Sequence, residues 1–224
     1  MRRTVSRPES AGFELAAHVE ADAIAARSYA LNLAADDTVH DSWSLARDMV
    51  ESSADDLIRD LQLGTDAAAA FDVLAAGLPC QAFARIGRSK LREIAGGEED
   101  AFQKDPRAAL YRRFLDYVTD TQPLAIIIEN VPDILNFGGH NVPEEICETL
   151  EKIGYRSAYT ILNAAYYGVP QVRERLFLIA FADVLNVTPA FPEPTHFLKL
   201  HPFQGWFNVR VLHLDQFSAS APAV

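Results

Sequence analysis

Apolar residues along this chain fall into short continuous runs that end on polar groups, alternating with longer stretches at helical spacing. Asp72-Val-Leu-Ala-Ala-Gly-Leu-Pro79, Leu124-Ala-Ile-Ile-Ile-Glu129 and Leu176-Phe-Leu-Ile-Ala180 are the runs. Short apolar segments bounded by turn residues predict strands with both faces covered. Ala16-Ala-His-Val19-Glu20 predicts a further short strand ending in an acid, and Leu45-Ala-Arg-Asp48-Met49 an edge strand. Helical spacing covers Ala23 to Leu33 and Ser53 to Leu61. Asp105-Pro106 predicts another helix start, with Leu110, Phe114, Tyr117 and Val118 as its buried stripe. Asn141 and Glu144 stand at capping-box spacing before a helix carrying Ile146, Cys147, Leu150 and Ile153, which Gly154 closes. Strands alternating with helices predict an α/β, doubly wound, mostly parallel sheet.

Ligands of such sheets bind at the carboxyl edge, and three groups of chemical interest stand at the ends of the runs. Pro79-Cys80-Gln81 follows the first run, and its thiol is placed to act as a nucleophile. Glu129-Asn130-Val131 ends the second, bringing a carboxylate and an amide to the same edge. Gln171-Val172-Arg173-Glu174-Arg175 leads into the third. Arg85, Arg88 and Lys90 supply cations just after the thiol, suited to phosphate contact, and Ser89 to Gln103 predicts a charged loop. Cys147, on an apolar helix stripe, is assigned to the core.

These three segments, in this order and at this spacing, resemble the catalytic signatures of the DNA (cytosine-5)-methyltransferases of bacterial type. The resemblance runs from about Ala11 to about His196, where Phe191-Pro-Glu-Pro-Thr-His196 is also similar. It implies a Rossmann-like methyltransferase fold and S-adenosylmethionine as methyl donor, with no metal. Cys80 would attack C6 of a flipped-out cytosine, activating C5 towards the methyl group. Glu129 would bind N3 and the exocyclic amine, and Asn130 would hold Glu129 in place. Arg173 would contact O2 of the base, while Arg175 is assigned a structural role. Pro79, Gln81, Val131, Arg85, Arg88 and Gln171 would support the site. Glu20 matches the acid that binds the ribose hydroxyls, and Asp48 the residue that meets the adenine amine.

Composition changes this picture in two ways. Of the 224 residues 49% are apolar, which fits one well-buried domain, and two cysteines without repeated spacing point away from disulfide frameworks and zinc sites. The start has no apolar segment behind its arginines, which predicts a cytoplasmic protein. A net charge of -11, however, is unfavourable for gripping phosphates. The family's opening strand and glycine turn have no match in Met1 to Ser10, and Phe197 to Val224 is shorter than its recognition domain. Ala84 stands where the family has Ser. The expectation is therefore a partial catalytic domain over 11–196 with an unassigned tail, 197–224. Its partners would be duplex DNA and a second polypeptide supplying the absent parts. The branch that methylates cytosine in tRNA is the alternative, because Phe83-Ala-Arg85-Ile-Gly87-Arg88 resembles it as well. A non-catalytic fragment or split-enzyme subunit of the same family is another.

Overall fold

The computed structural model describes residues 11–34, 37–64, 66–78, 108–136, 141–198 and 217–218. Two compact units divide the chain, Met1–Leu74 with Pro106–Leu124, and Ala75–Asp105 with Ala125–Val224.

The first unit holds helices α1 (Ala23–Leu33), α2 (Asp37–Trp43), α3 (Ala54–Asp60) and α4 (Ala108–Thr121). Asp22 starts α1 by accepting the amides of Ile24 and Ala25. Ser53 and Asp56 start α3 through a reciprocal capping box, which satisfies donors that a helix end otherwise leaves orphaned. The Ser53 bonds and Arg59 hold the Asp56 carboxyl down at about 2. Tyr117 of α4 packs with Ala54 and Leu57 of α3, and Val19, Met49, Leu61 and Phe71 close around them. Arg113 and Tyr117 donate to the carbonyl of Ser52.

Neither strand predicted in this unit forms. Residues 13–20 and 44–50 have no strand assignment. The Arg47 amide donates to the Glu20 carbonyl at 2.8 Å, but among the described residues that bond does not extend into a ladder, and a strand is defined by its ladder. The His18 ring packs instead against Tyr29, at 4.2 Å between centroids, and against Trp43.

The sheet is four-stranded, in the order β1-β2-β4-β3, with β1 (Val73–Ala76), β2 (Ala125–Asn130), β3 (Tyr155–Asn163) and β4 (Glu174–Ala182). Its β1 is half-buried, less covered than its apolar sequence predicts. Strand β4 runs antiparallel to both neighbours. On β2 and β4, Ile126, Ile128, Asn130, Leu176, Leu178 and Ala180 share one face and are all buried. Each of the isoleucines and leucines contributes about 1.5–3 kcal/mol relative to exposure. Helix α5 (Val142–Lys152) packs against β3, burying Ile146, Cys147 and Leu150. Burial also pushes the Cys147 thiol up, so this cysteine is core. Asn141 caps α5 by accepting the Glu144 amide, but the Glu144 carboxylate accepts from the Tyr159 hydroxyl, so the predicted box is only half formed.

Sequence reading missed β3. Its residues alternate between faces, so no continuous apolar run announces it. The tail contributes β5 (Phe197–Leu198) and β6 (Phe217–Ser218), paired antiparallel. Among the described residues no helix is long and apolar enough to cross a membrane.

Candidate active site

Strand β2 delivers Glu129 at its carboxyl end, and β4 delivers Arg175 at its amino end. Because the strands are antiparallel, these two ends lie side by side. The register pairs Glu129 with Phe177 and Asn130 with Leu176. Arg175 is therefore diagonal to Glu129 on the same face, within reach of a long side chain. The Arg175 Nε stands 3.0 Å from Glu129 Oε1, with side-chain exposures of 24% and 41%. Arg175 also donates through Nη1 to the Glu174 carbonyl, which fixes the fork. A guanidinium so placed pairs with Oε1 and leaves Oε2 on the other side of the carboxylate. On that side runs the exit of β1: a Cβ built on Gly77 would lie 4.0 Å from Glu129 Oε2.

Asn130 points to the opposite, buried face and is 2% exposed. Its Nδ2 donates to the Leu78 carbonyl at 3.3 Å, and its Oδ1 accepts the Val131 amide at 2.8 Å. The amide thus ties the end of β2 to the last described residue before Pro79 and Cys80. Pro132 then begins a 3-10 turn, Pro132–Asn136. Burying a primary amide is favourable only with its partners in place, which is why Asn suits this position.

Gln171 and Arg173 lie on the exposed loop between the 3-10 turn Ala164–Tyr167 and β4. The Arg173 carbonyl accepts the Ala164 amide at 2.9 Å, and the Gln171 amide donates to the Val169 carbonyl. Arg175, which sequence reasoning assigned to structure, makes the contact with Glu129. Strand register alone could have found it, since an antiparallel β4 brings its first residues to the end of β2. Pro79, Cys80, Gln81, Arg85 and Arg88, the loop from Ser89 to Gln103, and the helix start at Asp105-Pro106 lie outside the described residues.

In the first unit, Glu20 Oε1 accepts the Asp22 amide at 2.9 Å and Asp48 Oδ1 accepts the Val50 amide at 2.8 Å. The Arg47–Glu20 backbone bond makes Glu20 and Asp48 near neighbours. Each carboxylate has a second oxygen able to accept from a hydroxyl or an amine, which fits the donors of a nucleoside. The buried Arg47 guanidinium donates to the carbonyls of Ser42 and Leu45 and stiffens the turn between them. Beside it, burial and then the Arg47 charge hold the His18 ring below the usual histidine range, with Glu20 opposing. Among the described residues no group of three or more His, Cys, Asp or Glu could hold a metal ion.

The model of the C-5 cytosine-specific DNA methylase family matches residues 8–201. The chain belongs to this family of S-adenosylmethionine-dependent transferases. A protein of Oceanobacillus iheyensis named as a type II methyltransferase, M.OihORF3336P, is 37% identical over 200 residues, which are 89% of this chain and 42% of that protein. The type II methyltransferase M.HhaI of Haemophilus parahaemolyticus is 34% identical over 124 residues, 55% of this chain and 35% of its own length. This chain therefore spans less than half the length of these relatives. A crystal structure titled as a prophage-encoded DNA modification methyltransferase of E. coli shares the fold, with a TM-score of 0.59 at 23% identity, covering 80% of this chain and 43% of that one.

Proposed function

We propose that this chain carries the catalytic groups of a DNA (cytosine-5-)-methyltransferase in DNA methylation or restriction-modification, moving a methyl group from S-adenosylmethionine to C5 of cytosine. The observation that carries the reading is the Glu129–Arg175 pair at the exit of β1. Cytosine C5 is a poor nucleophile until a thiolate adds at C6. Cys80 is the thiol, and its addition pushes charge into the ring. Glu129 delivers to N3 the proton that neutralises that charge and accepts from the exocyclic amine, with Arg175 holding its carboxyl group in one orientation. Asn130 positions Glu129 through the Leu78 carbonyl, and Val131 supplies the amide that fixes Asn130. Arg173 and Gln171, exposed on their loop, are free to meet O2 of the base and the flanking backbone. Pro79, Gln81, Arg85 and Arg88 support the thiol and the phosphates. A target carbon hidden in a duplex requires the base to be flipped out.

S-adenosylmethionine, when bound, supplies the electrophilic methyl group. Glu20 would hold its ribose hydroxyls and Asp48 its adenine amine. A second polypeptide, contributing cationic surface that the acidic balance of this chain does not, completes the grip on DNA in this reading.

The test is a covalent trap. With the second polypeptide supplied, duplex DNA containing 5-fluorocytosine should form a thioether adduct in the presence of the cofactor, because fluorine at C5 cannot leave as a proton does. Cys80→Ser should abolish the adduct. An adduct that survives this substitution would refute the mechanism, and an adduct on 5-fluorocytosine tRNA but not on DNA would move the substrate to RNA.

A further inference from the structure

The segment Phe191 to His196 returns across the 3-10 turn Ala164–Tyr167, the turn that launches the loop of Gln171 and Arg173. The Tyr166 carbonyl accepts two backbone amides, from Thr195 at 3.0 Å and His196 at 2.9 Å. The Tyr167 hydroxyl donates to the Pro192 carbonyl at 2.9 Å. Thr195 Oγ1 stands 2.9 Å from His196 Nδ1 and 3.5 Å from the Tyr166 carbonyl, so one hydroxyl braces ring and turn together. The His196 ring closes over Gly168, whose φ is +82° and whose Cβ, if present, would meet His196 Cε1 at 3.0 Å. Glycine answers two demands at once here, a left-handed backbone and room for the imidazole. Next in sequence come the exposed residues 169–173.

We infer that Phe191–His196 is a strap, with His196 seated on Gly168 and braced by Thr195, that orders the loop 168–173 and so positions Gln171 and Arg173. An exposed arginine loses rotamer and backbone freedom when it engages a ligand. A loop already fixed at Gly168 has lost much of the backbone share in advance. Thr195 and His196 are positioning residues in this scheme and touch no substrate. The value of the strap to catalysis rests on the cytosine reading above, whereas its ordering of the loop does not.

Hydrogen exchange on the whole chain, read by mass spectrometry, separates the two. In Thr195→Val and His196→Ala the amides of 168–173 should exchange about tenfold faster, the size of one lost hydrogen bond. Thr195→Ser keeps the hydroxyl and should restore the parent rate, while amides of β2 and β4 stay unchanged throughout. Adduct formation on 5-fluorocytosine DNA should slow by a similar factor in the same two variants and recover in Thr195→Ser. Unchanged exchange at 168–173 in both variants would overturn the strap. Faster exchange with adduct formation at the parent rate would overturn the positioning role. A parent chain that forms no adduct even with the second polypeptide supplied counts against the cytosine reading, and the exchange arm then decides the strap alone.

Discussion

Glu129 is gripped from across a sheet, by an arginine on a strand that lies about fifty residues further along the chain, and it stands against the backbone of Gly77. Among the described residues Glu20 and Asp48 are held locally, each by an amide two residues ahead on its own segment. The two regions also differ beneath the surface. Under Glu129 lies a face of fully buried isoleucine and leucine with Asn130 at its end, whereas the segments of Glu20 and Asp48 rest on a smaller core through the partly buried Val19 and Met49. Groups that must act on a transition state need fixed geometry, because only interactions formed there lower the barrier. Groups that grip a cofactor can take their final arrangement when it arrives.

The contrast breaks most visibly at Glu129. In a preparation that methylates DNA, Glu129→Gln should slow transfer by roughly two to four orders of magnitude, the range for losing a positioned proton donor. It should leave the urea midpoint nearly in place, since the pair is partly exposed. A rate within a few fold of the parent would remove Glu129 from the chemistry. Asn130→Ala should cost about 1–3 kcal/mol of stability, because the buried Leu78 carbonyl and the Val131 amide both lose their partner. An unchanged denaturation curve would show that the end of β2 does not depend on that amide.

Smaller effects sharpen the picture of the first unit. Ser53→Ala should cost about 1 kcal/mol through loss of the α3 cap. The Asp56 carboxyl, held at about 2, titrates well below an unfolded aspartate at about 3.9. Its support for α3 is therefore complete above pH ~4 and is lost as pH falls towards 2. Asp56→Asn should erase that acid-dependent part of the stability curve, and circular dichroism along an acid titration measures it. Glu20→Ala and Asp48→Ala should each change stability by less than about 0.5 kcal/mol while weakening S-adenosylmethionine binding in calorimetry. A large loss of stability in either would mean that these acids serve the fold.

How far the sequence could be read follows from the same physics. Helix α1 is legible because Asp22 is a cap and the residues after it pack on a helical period, and Gly154 closes α5 at a positive φ that few other residues adopt. Strand β2 is legible as an unbroken apolar run. Strand β3 is not, since Tyr155, Ser157, Tyr159 and Ile161 alternate with residues of the other face, and half-buried alternation with polar members resembles loop composition. The segments at 16–20 and 45–49 have strand-like composition, yet a ladder is a property of two segments, and no single segment reveals its partner. The candidate site shows in the sequence as residue types but not as pairings. Glu129 and Arg175 stood out separately, and their contact follows only from the direction of β4, which hydrophobicity does not encode.

The placement of β4 between β2 and β3 also sets an order of assembly. Its pairing with β3 closes a short stretch from Asn163 to Glu174, whereas its pairing with β2 must span the whole of α5 and β3. Loop closure makes the near pairing the quicker one. The hairpin of β3 and β4 should therefore form before β2 zips alongside it, and the rungs at Asn130 and Glu129, nearest to β4 along the chain, should be the first of that ladder to close. A nascent or partly unfolded chain holds the arginine and the acid apart, so the charged pair comes into being only as the sheet closes. Its presence marks the docking of β2.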